Sequence, residues 1–292
     1  MTAQFLHRAL CIGDLDRAVT FFRDGLGFAP LGTSETEAGA WLETLTGLEG
    51  ARRTRQSVRN DQGIVLDLYA FAEPAPVGSR ERRKNNQFGL THLAFYVDDI
   101  DAWAGRVAAA GGKVFAHTRA TFRDNGTTMM YCTDPDGIRI ELMQAPGERE
   151  RFSHSGICMD DVNLFATFYS DVFGFALAEN YQLYDHGYFM NVVNELDDVK
   201  LRAQMIRNPN RDTIELLEMR SPPGFGSRDP LPVNQYGFRY LAFAVDDLDA
   251  TASLLKERGG RVLDETACTG PRGRTMFAAD PIGARILLTE KA

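Results

Sequence analysis

Asn86–Trp103 reads NQFGLTHLAFYVDDIDAW, and the pattern returns at Asn234–Ala250 as NQYGFRYLAFAVDDLDA, 148 residues later in a chain of 292. Both stretches carry a glycine, an alternating apolar strand and an acidic pair that opens a helix. A repeat at half the chain length marks a tandem duplication. The copies differ at one position that matters chemically: His92 in the first is Tyr240 in the second.

Two further units flank these. Phe5–Ile12 (FLHRALCI) reads as a strand, and Asp14 can cap the helix after it. Leu15, Ala18, Val19, Phe22 and Leu26 form one apolar face of that helix, Gly27 ends it, and GIVLDLYAF closes the unit as a strand. The linker AEPAPVGSRERRKNN leads to the second unit. There a strand over 91–97 precedes a cap at Asp98 and Asp99, a helix, the strand KVFAHTRA, a hairpin at Asp124-Asn125-Gly126, the strand TTMMYCT, a turn at Asp134-Pro135-Asp136-Gly137 and the strand IRIELMQ. Asn-Gly and Pro-Asp-Gly are strong turn signals. From Arg151 the first unit recurs at an offset of 147, with His154 for His7, and its closing strand aligns Glu215 with Asp67 at an offset one residue longer; the fourth unit repeats the second and ends in DPIGARILL. The expected fold is α+β: four βαβββ modules in two paired halves, 1–146 and 147–292, each pair a cupped mixed β-sheet with helices outside.

Composition narrows the function. The net charge of −8 argues against nucleic acid and anionic membrane surfaces as partners. The cluster Arg80, Arg82, Arg83 and Lys84 reads as a solvated loop. No apolar run reaches the ~18 residues that span a bilayer. The N-terminal residues lack a signal-peptide pattern. Four cysteines without a CxxC read as thiols in a reducing, cytoplasmic setting.

Each unit presents a residue seven positions before its capping aspartate: His7, His92, His154 and Tyr240. The closing strands supply Asp67, Glu141, Glu215 and Leu287 at matching positions. Strand side chains alternate between faces, so positions at one phase share one surface. If units one and two pair, His7, Asp67, His92 and Glu141 converge. Two imidazoles and one or two carboxylates suit Fe(II), Mn(II), Ni(II) or Zn(II). A packed, hydrogen-bonded histidine is the bland reading of each strand position taken alone. Asp67 and Glu141 sit among apolar neighbours, however, where an unpaired carboxylate is costly. The set left to units three and four has a leucine and a tyrosine in ligand positions, so that half is expected to be metal-free, with His154 and Glu215 vestigial.

HRALCIGDLDRAVTFFRDGLGF, HLAFYVDD and DPDGIRIEL resemble the vicinal oxygen chelate superfamily, which includes glyoxalase I, extradiol dioxygenases and the fosfomycin- and bleomycin-resistance proteins. The resemblance spans nearly the whole chain and implies paired modules cupped around a metal, with ligands from first and last strands. Three readings follow from it. The first-ranked is an extradiol-type dioxygenase opening a catechol-like ring, with Fe(II) held by His7, His92 and Glu141, Tyr131 donating to the substrate oxygen and Asp67 as fourth ligand or outer base. The second is a glyoxalase-like lyase or isomerase, a group with a His/Glu/His/Glu site, for which this chain offers His7, Asp67, His92 and Glu141. The third is a non-catalytic protein that sequesters an aromatic molecule. All three imply a small aromatic or carbonyl ligand; a homodimer, and an exchange of modules between chains, are left open.

Overall fold

The computed structural model describes residues 3–183 and 187–291. The first module comprises β1 (Gln4–Ile12), α1 (Leu15–Leu26), β2 (Ala29–Ala38), α2 (Ala40–Thr46), β3 (Arg52–Arg59) and β4 (Val65–Glu73). The second runs through β5 (Gly89–Tyr96), α3 (Ile100–Ala109), β6 (Lys113–Thr121), β7 (Thr128–Thr133) and β8 (Arg139–Gln144). The third has β9 (Arg151–Met159), α4 (Val162–Phe173), β10 (Ala176–Leu183), α5 (Gly187–Asn194), β11 (Lys200–Arg207) and β12 (Thr213–Ser221). The fourth has β13 (Gly237–Val245), α6 (Leu248–Glu257), β14 (Arg261–Val262), β15 (Cys268–Gly270), β16 (Gly273–Ala279) and β17 (Arg285–Glu290). The α+β class and the fourfold repeat are as expected. Asp14, Asp99, Asp161 and Asp247 each accept from backbone N–H groups in the first turn of the helix they cap. The segment from Gly39 to Ser57, which in sequence suggests a strand plus a variable loop, holds helix α2 and most of strand β3.

The pairing of modules differs from the expected one. One sheet runs β14-β16-β17-β13-β1-β4-β3-β2 and joins modules one and four; the other runs β10-β11-β12-β9-β5-β8-β7-β6 and joins modules two and three. The seams are antiparallel, with Ala9 opposite Tyr240 and Ala94 opposite His154. Both are made within one chain. The halves 1–146 and 147–292 therefore do not each close a sheet.

Connection lengths account for this. Only residues 145–150 separate β8 from β9, which lies on the far side of β5. That gap is two strand spacings, roughly 10 Å, and six extended residues span about 20 Å. Residues 74–88 and 222–236 are much longer and carry the chain between sheets. They meet each other at Val77–Gln235 and Gln87–Phe225.

Helices cover one face of each sheet, and those covered faces turn toward each other. Helix α1 packs on α3, and α4 packs on α6. One core cluster runs through α1, α3, α4, α6 and both sheets, including Phe22, Phe95, Phe165 and Phe243. The opposite faces form two separate cups. Arg8 crosses between the sheets: its Nε donates to Ser155 at 2.7 Å and its Nη1 pairs with Asp212 at 3.1 Å. No helix among the described residues is long and apolar enough to cross a membrane.

Candidate metal centre

Strand alternation divides the second sheet cleanly. Ile140, Leu142, Ile214 and Leu216 enter the shared core, so Glu141 and Glu215 point into the cup. His92 and His154 meet there across the β5–β9 seam, with Nε2 atoms 3.1 Å apart. Glu215 Oε2 lies 3.4 Å from His92 Nε2 and 3.3 Å from His154 Nε2. Glu141 Oε2 lies 3.6 and 3.5 Å from the same two atoms. Bonds of about 2.0–2.2 Å to one ion place neighbouring donor atoms roughly 3.0–3.5 Å apart. His92, His154 and Glu215 form a compact group able to hold a metal ion, and Glu141 stands within reach of both imidazoles.

The surroundings of the imidazoles fit a cation. Thr91 Oγ1 lies 2.9 Å from His92 Nδ1, and Ser153 Oγ lies 3.0 Å from His154 Nδ1. With each Nδ1–H donating to its hydroxyl, the two Nε2 lone pairs face each other. Only a shared proton or a cation reconciles that arrangement. Burial pushes the His154 imidazole down, but Glu215 and Glu141 outweigh it and raise it to about 9. Burial would likewise raise Glu215, yet the two imidazoles hold its carboxyl well below the usual range. The pocket thus balances its carboxylates with protons that a divalent ion would displace.

Tyr131 donates from Oη to Glu141 Oε1 at 2.8 Å. Burial and then the Glu141 carboxylate push the phenol well above its ordinary pKa, so it remains a donor. The Arg139 guanidinium stacks on the Tyr131 ring, 4.5 Å from its centroid.

Gly156 makes room for the site. A Cβ there would lie 2.2 Å from His92 Cε1 and 2.5 Å from His92 Nδ1. The equivalent positions in the other modules are Ala9, Ala94 and Ala242. This one glycine is a sequence signal that an imidazole from another module inserts against β9. Gly156→Ala is expected to cost about 1–3 kcal/mol through overpacking and to weaken metal binding about 10-fold or more by tilting the ring. Thermal melts and a chelator competition measure the two effects.

The structure does not bring His7 and Asp67 to this centre. Both lie in the sheet of modules one and four, where the His7 ring stands 6.1 Å from that of Tyr240. His7 Nε2 is 3.4 Å from Asp67 Oδ2. The Asp67 carboxylate already accepts from Ser57 at 2.5 Å, Tyr69 at 3.1 Å and Arg55 at 3.2 Å. Burial favours its neutral form, but His7, Ser57 and Arg55 prevail and lower it to about 2. Burial lowers the His7 pKa against the opposing pull of Asp67. Of the expected ligands, His92 and Glu141 therefore stand at the centre with Tyr131 beside them. His7 and Asp67 are replaced there by His154 and Glu215, the pair expected to be vestigial.

A donor set drawn from two βαβββ modules around one cup defines a class of metal-binding folds, and the sequence comparisons agree. The model of the Glyoxalase/Bleomycin resistance protein/Dioxygenase superfamily matches residues 4–142 and 151–288. The chain belongs to that superfamily. It is 30% identical over 144 residues to a 2-epi-5-epi-valiolone epimerase from Actinomyces sp, covering 48% of this chain and 78% of the relative. It is 22% identical over 303 residues to a probable chloroplastic lactoylglutathione lyase of Arabidopsis thaliana, covering 96% of this chain and 73% of the relative. The glyoxalase I structure from Zea mays superposes with a TM-score of 0.66 at 17% identity, over 99% of this chain and 92% of that one. These relatives correct the first-ranked expectation. Proteins matched over nearly the whole chain are named as lyases, not ring-cleaving dioxygenases.

Proposed function

We propose that the cup between modules two and three is the active site of a metal-dependent lyase or isomerase acting on a small carbonyl compound. The observation that carries this reading is the donor set itself: two imidazoles and two carboxylates in the order His92, Glu141, His154, Glu215. It suits Ni(II), Zn(II), Mn(II) and Fe(II) alike. An ion held there would act as a Lewis acid, polarising a substrate carbonyl and acidifying the neighbouring C–H.

The protein's own groups then divide the work. Glu215, strongly ionised and close to both imidazoles, serves as a ligand. Glu141 reaches the same point through Oε2 while Oε1 holds the Tyr131 hydroxyl. A carboxylate that swings from that position can take a proton from one carbon and return it to the next. Tyr131 keeps Glu141 oriented and supplies a hydrogen bond to it in either state. Tyr131→Phe is expected to lower turnover about 10- to 100-fold with the ion retained, as single-turnover kinetics and metal analysis on one sample would reveal.

Proton transfer is the step to test. α-Hydroxy ketones and thiohemiacetals are incubated with metal-loaded protein in D2O and followed by NMR. Deuterium entry at the carbon beside the carbonyl, dependent on the ion, is the expected result. Oxygen consumption without such exchange would overturn the proposal.

A further inference from the structure

The cavity above the metal centre has a composition that bears on its ligand. Phe122 and Phe189 contact each other at a tilt, with ring centroids 5.2 Å apart, and Met129, Met143, Met190 and Met205 add four thioethers. Neither Lys nor Arg is among the described lining residues. Two guanidiniums near the centre are held elsewhere. Arg139 lies beneath Tyr131 and donates to the Arg83 carbonyl at 2.8 Å. Arg151 stacks on Tyr96, 4.3 Å from its centroid, and pairs with Glu148 at 2.8 Å.

The one buried amide at the rim is also spent. Asn194 Oδ1 accepts from Asn85 at 3.0 Å, and its Nδ2 donates to the Met190 carbonyl at 2.9 Å. The cavity holds about 160 Å³, close to the roughly 150 Å³ of apolar space that accepts a single benzene ring. A glutathione conjugate carries two carboxylates and an ammonium group. The described lining residues offer those carboxylates no Lys or Arg partner, and charges brought into contact with this apolar wall without partners are costly.

We infer that the substrate is a small carbonyl compound bearing one uncharged aromatic ring, and not a glutathione conjugate. The ring sits between Phe122, Phe189 and the methionines, where thioether–aromatic contacts hold it, while its oxygens face His92, His154 and Glu215. The inference rests on the metal-site reading above.

Three chelators that each present an N-hydroxy group beside a carbonyl but carry different tails separate the possibilities: acetohydroxamate, benzohydroxamate and S-(N-hydroxy-N-methylcarbamoyl)glutathione. The full chain is loaded with Ni(II), its metal content is measured, and each compound is titrated calorimetrically. Benzohydroxamate is expected to bind about 10- to 100-fold more tightly than acetohydroxamate, the gain from burying one ring. The glutathione compound is expected to bind no better than acetohydroxamate. Met190→Ala should shrink the preference for the ring, and its measured Ni(II) content reports an intact centre. Equal affinity for the two hydroxamates, tightest binding of the glutathione compound, or binding of none by metal-replete protein would overturn the inference while the metal assignment stands. Failure to take up Ni(II), seen before any titration, would overturn both.

Discussion

His154→Ala is expected to strip the protein of its divalent ion, whereas His7→Ala leaves a full equivalent bound. The two histidines occupy the same place in modules one and three, and the expectation from sequence is the reverse, with His7 a ligand and His154 vestigial. The sheets make the difference. His154 Nε2 stands 3.1 Å from His92 Nε2 and 3.3 Å from Glu215 Oε2. His7 has Asp67 as its neighbour, and that carboxylate is already held by Ser57, Tyr69 and Arg55. Removing a direct ligand should cost more than the roughly 10–100-fold that follows loss of an outer hydrogen-bond partner. It also leaves Glu141 and Glu215 beside a single imidazole. His154→Gln, which keeps the volume, separates lost ligation from lost packing. Metal content after gel filtration, with a melting curve for each variant, decides the matter. Metal retained by H154A and lost by H7A would place the centre in the other cup.

Glu141→Gln is expected to lower turnover by about 10²–10⁴-fold, the range for removal of a general base. The amide preserves size, and its carbonyl oxygen can still accept from Tyr131, so the pocket should stay in shape. His92, His154 and Glu215 remain to hold the ion. Most of the loss should therefore fall on kcat, and deuterium entry from solvent should slow by the same factor. A variant that exchanges solvent deuterium at the wild-type rate would remove Glu141 from proton transfer. Glu215→Gln provides the contrast: removing the ligand held most strongly in its ionised form should cost metal affinity first.

Much of this was legible along the chain because it depends on neighbours in sequence. The four capping aspartates, the helix faces and the alternation of VLDLY and IELM are local patterns, and each has its expected place in the folded chain. Phase also put His7, His92 and His154 on cup-facing positions before any partner was known. The choice of partners was not local. Treating adjacent modules as sheet partners put His7 and Asp67 with His92 and Glu141, and relegated His154 and Glu215. Two features could have corrected that choice. The linker over 74–88 is longer than the 145–150 connection, which favours sheet neighbours for modules two and three. Gly156 stands where the other modules have alanine, at the point where His92 comes to rest.

The amino-acid order by itself determined the module, its repetition and the face of each strand that would carry ligands, since these follow from 2- and 3.6-residue periodicity and from caps a few residues away. Only the tertiary structure decided which cup became the centre. Every module offers the same strand edge, and the pairing among them was selected by connection length and by the shared core between the sheets. That pairing left one cup with two imidazoles and two glutamates and the other with a tyrosine, a leucine and an aspartate locked to arginine.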